Sequence, residues 1–258
     1  MNLLRFDIGT HHCSVDTARG VSLAIPLQFN GPQPNFFTAP SASAEPLQAD
    51  GFTGDTHKGG SCNVSQYHLV PHCNGTHTEC IGHVVDDTVT VTEQLRQSLL
   101  PATLVTLAPR HNLIDATLIK MSLQHHPVPE LHTAFIIRTL PNTREKLSHS
   151  YALVPPAYVA EEAVALLVAA GVEHLLVDLP SLDPMQDEGR LAAHRAFWGL
   201  PAGSRRLADA KRPRATITEM IYVPEQVKDG YFLLDLQIPA FMSDAAPSRP
   251  VLYPIEMK

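Results

Sequence analysis

Behind Pro155 and Pro156 the chain runs Tyr158 to Ala170 in helix-forming apolar and acidic residues. Gly171 follows, and then Val172-Glu173-His174-Leu175-Leu176-Val177. The prolines block anything helical upstream, and the glycine takes the left-handed position that ends a helix. A helix delivered at once into a short apolar strand commits this region to a mixed α/β layer. The same reading predicts a helix over Asp187 to Gly199 and strands over Leu131 to Leu140, Ala215 to Val223 and Tyr231 to Ile238. Asp229-Gly230, between the last two strands, is a hairpin signal weakened by Pro224. Earlier in the chain, Val21 to Phe29 reads as an edge strand because of Pro26. Cys62 to Val70 reads as a strand and Asp87 to Leu99 as a short helix.

With 44% hydrophobic and 17% charged residues, a chain of 258 residues can fill one sizeable core, and residues 1–258 are expected to form a single domain. The formal charge is −7, and the one short basic run, Lys211 to Arg214, is too small a footprint for phosphate backbones, which excludes nucleic acid as a partner. The most apolar window, Tyr158 to Val177, is interrupted by Glu161, Glu162, Glu173 and His174, and the start of the chain lacks an apolar signal stretch. No membrane association and a cytoplasmic location are therefore expected, and with them free thiols or metal ligands rather than disulfides.

Asn30 to Gly60 is rich in Pro, Gly, Ser and Ala, lacks periodicity, and is long for a loop inside one domain. Such loops often bind ligands. Phe36 and Phe37 are its aromatic pair, either substrate contacts or anchors to the core.

Three of the 4 cysteines, Cys62, Cys73 and Cys80, crowd one segment with His57, His68, His72, His77 and His83. Read as a helix, Pro71 to His83 would put Cys73, His77 and Cys80 on one face as a structural zinc half-site, against which Gly75 and Gly82 speak. Read as extended chain, it turns His77, Glu79 and His83 to one side, a donor set suited to a hydrolytic metal. Two further polar residues stand where apolar ones are expected. Glu219 shares the inward parity of Ile217 and Ile221, and a buried carboxylate needs a partner or a metal. His194 lies between Leu191 and Trp198 on the core stripe of its helix, a packed side chain or a ligand.

Cys73-x-Gly75-Thr76-His77-x-Glu79-x-x-x-His83 resembles the His-x-Gly-Thr-His-x-Asp-x-Pro-x-His signature of the cyclase family, which includes kynurenine formamidase (arylformamidase) and isatin hydrolase. Asp178-Leu179-Pro180-Ser181-Leu182-Asp183-Pro184 is similar to that family's Asp-x-x-Ser-x-Asp-Pro segment, and Thr218-Glu219-Met220 to its Val-Glu-Asn element. The resemblance implies a swivelling α/β barrel-like domain that forms homodimers or homotetramers and hydrolyses the amide bond of a small-molecule substrate with zinc or manganese. Carried over by position, it implies that Cys73, His77 and Glu79 hold one metal and that Glu79, His194 and Glu219 hold a second. His83 would transfer protons, and the aromatic substrate contact would fall near Phe36.

The chain departs from the signature at Cys73, Glu79 and Ile81, where the family has His, Asp and Pro. Thiolate favours zinc over the harder manganese. His72, one position earlier, is the alternative to Cys73 as ligand. The competing reading of the whole is a non-catalytic metal- or ligand-binding protein on the same fold, with Cys73 closing a tetrahedral site.

Overall fold

A computed structural model describes residues 2–152 and 154–257. The chain opens with a hairpin of β1 (Leu3–Ile8) and β2 (His11–Asp16), followed by the two-residue β3 (Val21–Ser22). An arm of short strands comes next: β4 (Ser43–Pro46), β5 (Gln48–Ala49), β6 (Phe52–Thr53) and β7 (Ser65–His68), with β4 antiparallel to β7 and β5 to β6. The body then runs β8 (His77–Glu79), α1 (Val91–Gln94), β9 (Leu99–Leu107), β10 (Leu113–Ile114), α2 (Ala116–His125), β11 (Ala134–Thr139), β12 (Tyr158–Val159) and α3 (Glu161–Ala169). It closes with β13 (His174–Val177), α4 (Ala192–Trp198), β14 (Thr216–Glu219), β15 (Gly230–Gln237), β16 (Ala245–Pro247), β17 (Arg249–Pro254) and β18 (Glu256–Met257).

Nine of these strands make one curled half-barrel sheet in the order β16-β8-β14-β13-β11-β9-β15-β17-β3. Its middle, β9, β11, β13 and β14, is parallel; every pairing outside it is antiparallel. The two middle parallel strands, β11 and β13, are mostly apolar on both faces, as strands covered on both sides tend to be. Phe135 and Ile137 of β11 face one core with Val105, Leu175 and Val177, and this core is closed by α2, α3 and α4 through Ile119, Leu167, Phe197 and Trp198. Ile136 faces the other core with Leu104, Leu176, Leu234 and Leu252. The expected α/β layer is present.

Several expected elements are shorter or differently used. Tyr158 and Val159 pair with β10 as strand, so that helix begins at Glu161. The helix expected from Asp187 begins at Ala192, since the Asp187 carboxylate accepts the Gly189 and Leu191 N–H groups and closes a turn there. The helix expected over Asp87 to Leu99 is only Val91–Gln94, and Leu99 already belongs to β9. Val21 to Phe29 and Cys62 to Val70 yield only β3 and β7 as strands. Asp229-Gly230 makes no hairpin, because β13, β11 and β9 lie between β14 and β15 in the sheet. The Asp229 carboxylate instead accepts from Thr106 N–H, Thr106 Oγ1 and Arg138.

The long loop is a folded structure. The Gln33 amide donates to Gln28 O and Ala42 O and accepts from Ala42 N–H, while the Asn30 side chain bonds Ala44 in both directions. Among the described residues no helix is long and apolar enough to cross a membrane.

Candidate metal centre

The sheet brings the central residues together by register. β8 runs antiparallel to β14 with His77 opposite Glu219 and Glu79 opposite Ile217. Period two turns His77 and Glu79 to one face, as expected. Gly75, at φ +122, makes a turn before β8 that a side chain would strain, and its carbonyl meets the Nδ1 of His77 at 2.9 Å. Thr76 donates its hydroxyl to Met220 O at 2.5 Å and accepts the Ile25 N–H at 2.9 Å. Met220 stands in the left-handed region at φ 51, which reverses the strand's alternation and sends Ile221 to the opposite core from Ile217. The resembled motif carries Asn at this place, a residue that tolerates that conformation.

His194 arrives from α4. Asp183 caps that helix by accepting the N–H groups of Ala193 and His194, and the same carboxylate lies 2.5 Å from His194 Nδ1. His194 Nε2 is thereby aimed at Glu79 Oε1, 3.0 Å away, and Glu219 Oε1, 3.4 Å away. Glu219 is fixed by the Leu182 N–H at 2.9 Å.

Cys73 is not in this set. The Val70 carbonyl accepts both the Cys73 and Asn74 N–H groups, so residues 70–74 are a turn, in which neighbouring side chains diverge. The turn sends His72 inward: its Nδ1 lies 2.9 Å from Glu79 Oε2 and its Nε2 2.8 Å from Asp244 Oδ2. Burial, then the charge of Glu219, pushes the Cys73 thiol up. Three donor groups result among the described residues, each with its ligand atoms within 4.8 Å of one another: the inner pair His72, His77, Glu79 and Glu79, His194, Glu219, which share Glu79, and the half-buried rim group His72, His83, Asp244. The structural zinc half-site of Cys73, His77 and Cys80 does not form, for the segment is turn and strand rather than helix. Cys80 lies in the apolar core, and burial pushes its thiol up to about 12. His57 and His68 belong to the exposed arm, far from crowding the centre despite their nearness in sequence.

His83 lies at the rim, 30% exposed, stacked on His72 with ring centroids 4.3 Å apart and its Nδ1 3.7 Å from Asp244 Oδ2. Phe36 is 2% exposed and packs with Tyr151, Met220 and Met185 while its N–H bonds Cys73 O. It anchors the long loop against both ligand-bearing segments, and Phe37 is the exposed ring of the pair.

Each of the three histidines is held through one nitrogen by an acceptor, Gly75 O, Asp183 or Asp244, and turns the other nitrogen toward Glu79 or Glu219. The buried atoms His77 Nε2 and Glu79 Oε1 and Oε2 have no hydrogen-bond partner despite neighbours at 2.9 to 3.5 Å. Bare acceptors facing one another in a buried space require cations between them. Separations near 3.4 Å are those of donors sharing an ion about 2.1 Å from each. With protons in place of metal, burial would lower His72, but the neighbouring carboxylates of Asp244 and Glu79 outweigh it and raise it to about 10. His194 rises well above its usual value for the same reason, through Glu79 and Asp183. Against its own burial, Glu79 is held well below the usual carboxylate range by the nearby charges of His83 and His194. The site therefore fits one or two divalent metal ions.

Asp183 entered the sequence reading without a role, and Asp244 did not enter it. Asp183 caps α4 from 11 residues before His194 rather than from the N-cap position, which Leu191 holds, so no local spacing pointed to its role. Asp244 carried no local signal; it reaches the centre because β16 pairs with β8.

These features define an α/β domain with a buried histidine–carboxylate centre at one side of a half-barrel sheet. The Cyclase family model matches residues 21–184, and the chain belongs to the cyclase family. The fold is shared with solved structures of low sequence identity. One is an isatin hydrolase bound to the product analogue thioisatinate, with TM-score 0.65, 15% identity and coverage of 92% of this chain and 93% of that one. A second is isatin hydrolase A from Labrenzia aggregata bound to benzyl benzoate, with TM-score 0.63, 12% identity and coverage of 91% and 93%. A third is described as a predicted metal-dependent hydrolase from Bacillus stearothermophilus, with TM-score 0.59, 15% identity and coverage of 91% and 98%. No curated protein matches the sequence.

Proposed function

We propose that the chain is a metal-dependent hydrolase of an amide C–N bond in a small molecule, a formamide or a cyclic amide, with kynurenine formamidase-like activity as the leading specificity. The observation that carries this reading is the shared carboxylate Glu79 with both oxygens unpartnered between two donor groups. His72, His77 and Glu79 would hold one ion, and Glu79, His194 and Glu219 a second, zinc suiting the imidazole-rich set and manganese remaining the competitor. A divalent cation bound there supplies a Lewis acid for a carbonyl oxygen and brings the pKa of water to about 7. His83, at the exposed rim, accepts the proton of the attacking water and returns it to the leaving nitrogen, so that water adds across the C–N bond with no proton lost. Asp183 keeps His194 oriented throughout. In keeping with the family resemblance, the working assembly would be a homodimer or homotetramer, with a cytoplasmic location.

The test is hydrolysis by zinc- and manganese-loaded protein of N-formylkynurenine, isatin and a panel of cyclic amides. His83→Ala should lower turnover by about 10²- to 10⁴-fold while bound metal stays near the wild-type amount. Turnover unaffected by that change would remove His83 from the reaction. A loaded protein inert on the whole panel would overturn the hydrolase reading.

A further inference from the structure

We infer that Asp244 is a positioning residue of the metal centre: it holds His72 so that this histidine, and not Cys73, completes the donor group with His77 and Glu79. The inference rests on the metal-centre reading above and deepens it.

Asp244 is fixed from both sides. Its carbonyl accepts the Cys80 N–H at 2.9 Å where β16 joins β8, and its Oδ1 accepts the Ser243 hydroxyl at 3.0 Å. That leaves Oδ2 directed at His72 Nε2, 2.8 Å away. A carboxylate accepts only, so Nε2 carries the hydrogen and Nδ1 keeps its lone pair, facing the inner space where Glu79 Oε2 lies 2.9 Å away. The His83 ring, stacked on His72 at 4.3 Å with planes 30° apart, closes the outer face of the imidazole and prevents it from swinging out. The arrangement repeats across the centre, where Asp183 holds Nδ1 of His194 and leaves Nε2 to Glu79. Such carboxylate–histidine pairs set ring orientation and raise ligand basicity. Residue 244 lies outside every segment of the signature, and its contact with His72 spans 172 residues of sequence.

Zinc affinity, measured by chelator competition on purified protein, tests this. Asp244→Ala should weaken binding about 10- to 100-fold, and Asp244→Asn, whose carbonyl still accepts from Nε2, should recover most of the loss. In a His72→Ala background Asp244→Ala should cost nothing further, which a purely structural role would not produce. The cobalt-substituted wild type should show no thiolate charge-transfer band, and its spectrum should not change on Cys73→Ala. Wild-type affinity in Asp244→Ala, additive losses, or a thiolate band abolished by Cys73→Ala would each overturn the inference while leaving the metal centre standing. Wild type that binds no zinc and no cobalt would remove the centre itself. Should Asp244→Ala fail to fold, the Asn variant and the cobalt spectra decide.

Discussion

His77 and Glu219 stand opposite each other on neighbouring antiparallel strands, with Nε2 3.5 Å from Oε2 and the imidazole already pinned through Nδ1 to Gly75 O. A neutral His77 so pinned presents a lone pair to a carboxylate. Such a pairing calls for a cation between the two, so the sheet register itself assembles one edge of the candidate metal centre.

Because Glu79 belongs to both inner donor groups, substitutions should sort by stoichiometry. Glu79→Ala should empty the centre, whereas His194→Ala should spare the group of His72 and His77. Elemental analysis of chelator-free preparations checks this. Equal metal content in both variants would show that Glu79 is not shared.

Asp183 joins the centre to the fold, since one carboxylate caps α4 and orients His194. Asp183→Ala should lower stability by about 1–2 kcal/mol through the lost cap and also weaken metal binding about 10- to 100-fold. Asp183→Asn should lose part of both effects, since both carboxylate oxygens accept here and the amide keeps one acceptor, whereas at residue 244 the amide nitrogen can face the Ser243 hydroxyl. Denaturation midpoints beside chelator competition separate the two contributions.

What was legible in the sequence was periodic and local. Glu219 announced itself because its strand parity is shared with Ile217, and His77 and Glu79 because residues two apart on a strand point alike. The reading stopped where the backbone leaves regular geometry. Parity cannot choose between His72 and Cys73 inside a turn, and Ile221 changes core because Met220 adopts φ 51. Asp244 was invisible for a different reason: its contact with His72 spans the β16–β8 pairing, which no local pattern specifies. The strand β9, central to the sheet, escaped notice because Pro101 and the threonines 103 and 106 interrupt its apolar run.

Away from the centre, His174 makes a pH prediction. It is 6% exposed on β13, its Nδ1 is 2.8 Å from Thr216 Oγ1, and burial, then the Arg212 charge, lowers it to about 4. The unfolded chain takes up a proton near pH 6.5, where the folded chain does not, so this histidine's contribution is complete above 6.5 and is lost as pH falls toward 4. The loss approaches about 1.4 kcal/mol per pH unit within that window. His174→Asn should flatten that part of the stability profile, as urea denaturation at stepped pH would show; an unchanged slope would mean that His174 is protonated in the fold.

The last prediction concerns Thr76, the middle residue of Gly75-Thr76-His77. Its hydroxyl accepts the Ile25 N–H and donates to Met220 O, tying the segment after β3 to the left-handed residue that follows Glu219. Thr76→Val preserves shape and removes both bonds, leaving an N–H and a carbonyl in the interior without partners, at about 1–3 kcal/mol each. The Met220 backbone keeps its N–H bond to Leu179 O but loses one of the two bonds that hold it in a sparsely populated conformation, which loosens Glu219 next to it. Thr76→Val should therefore destabilise the fold and loosen the Glu79, His194, Glu219 group together, while Thr76→Ser, which keeps the hydroxyl, should hold metal nearly as wild type does. Denaturation midpoints and metal content measured on the same preparations decide it: a Val variant that is less stable yet fully loaded would confine Thr76 to the fold and free the centre from dependence on it.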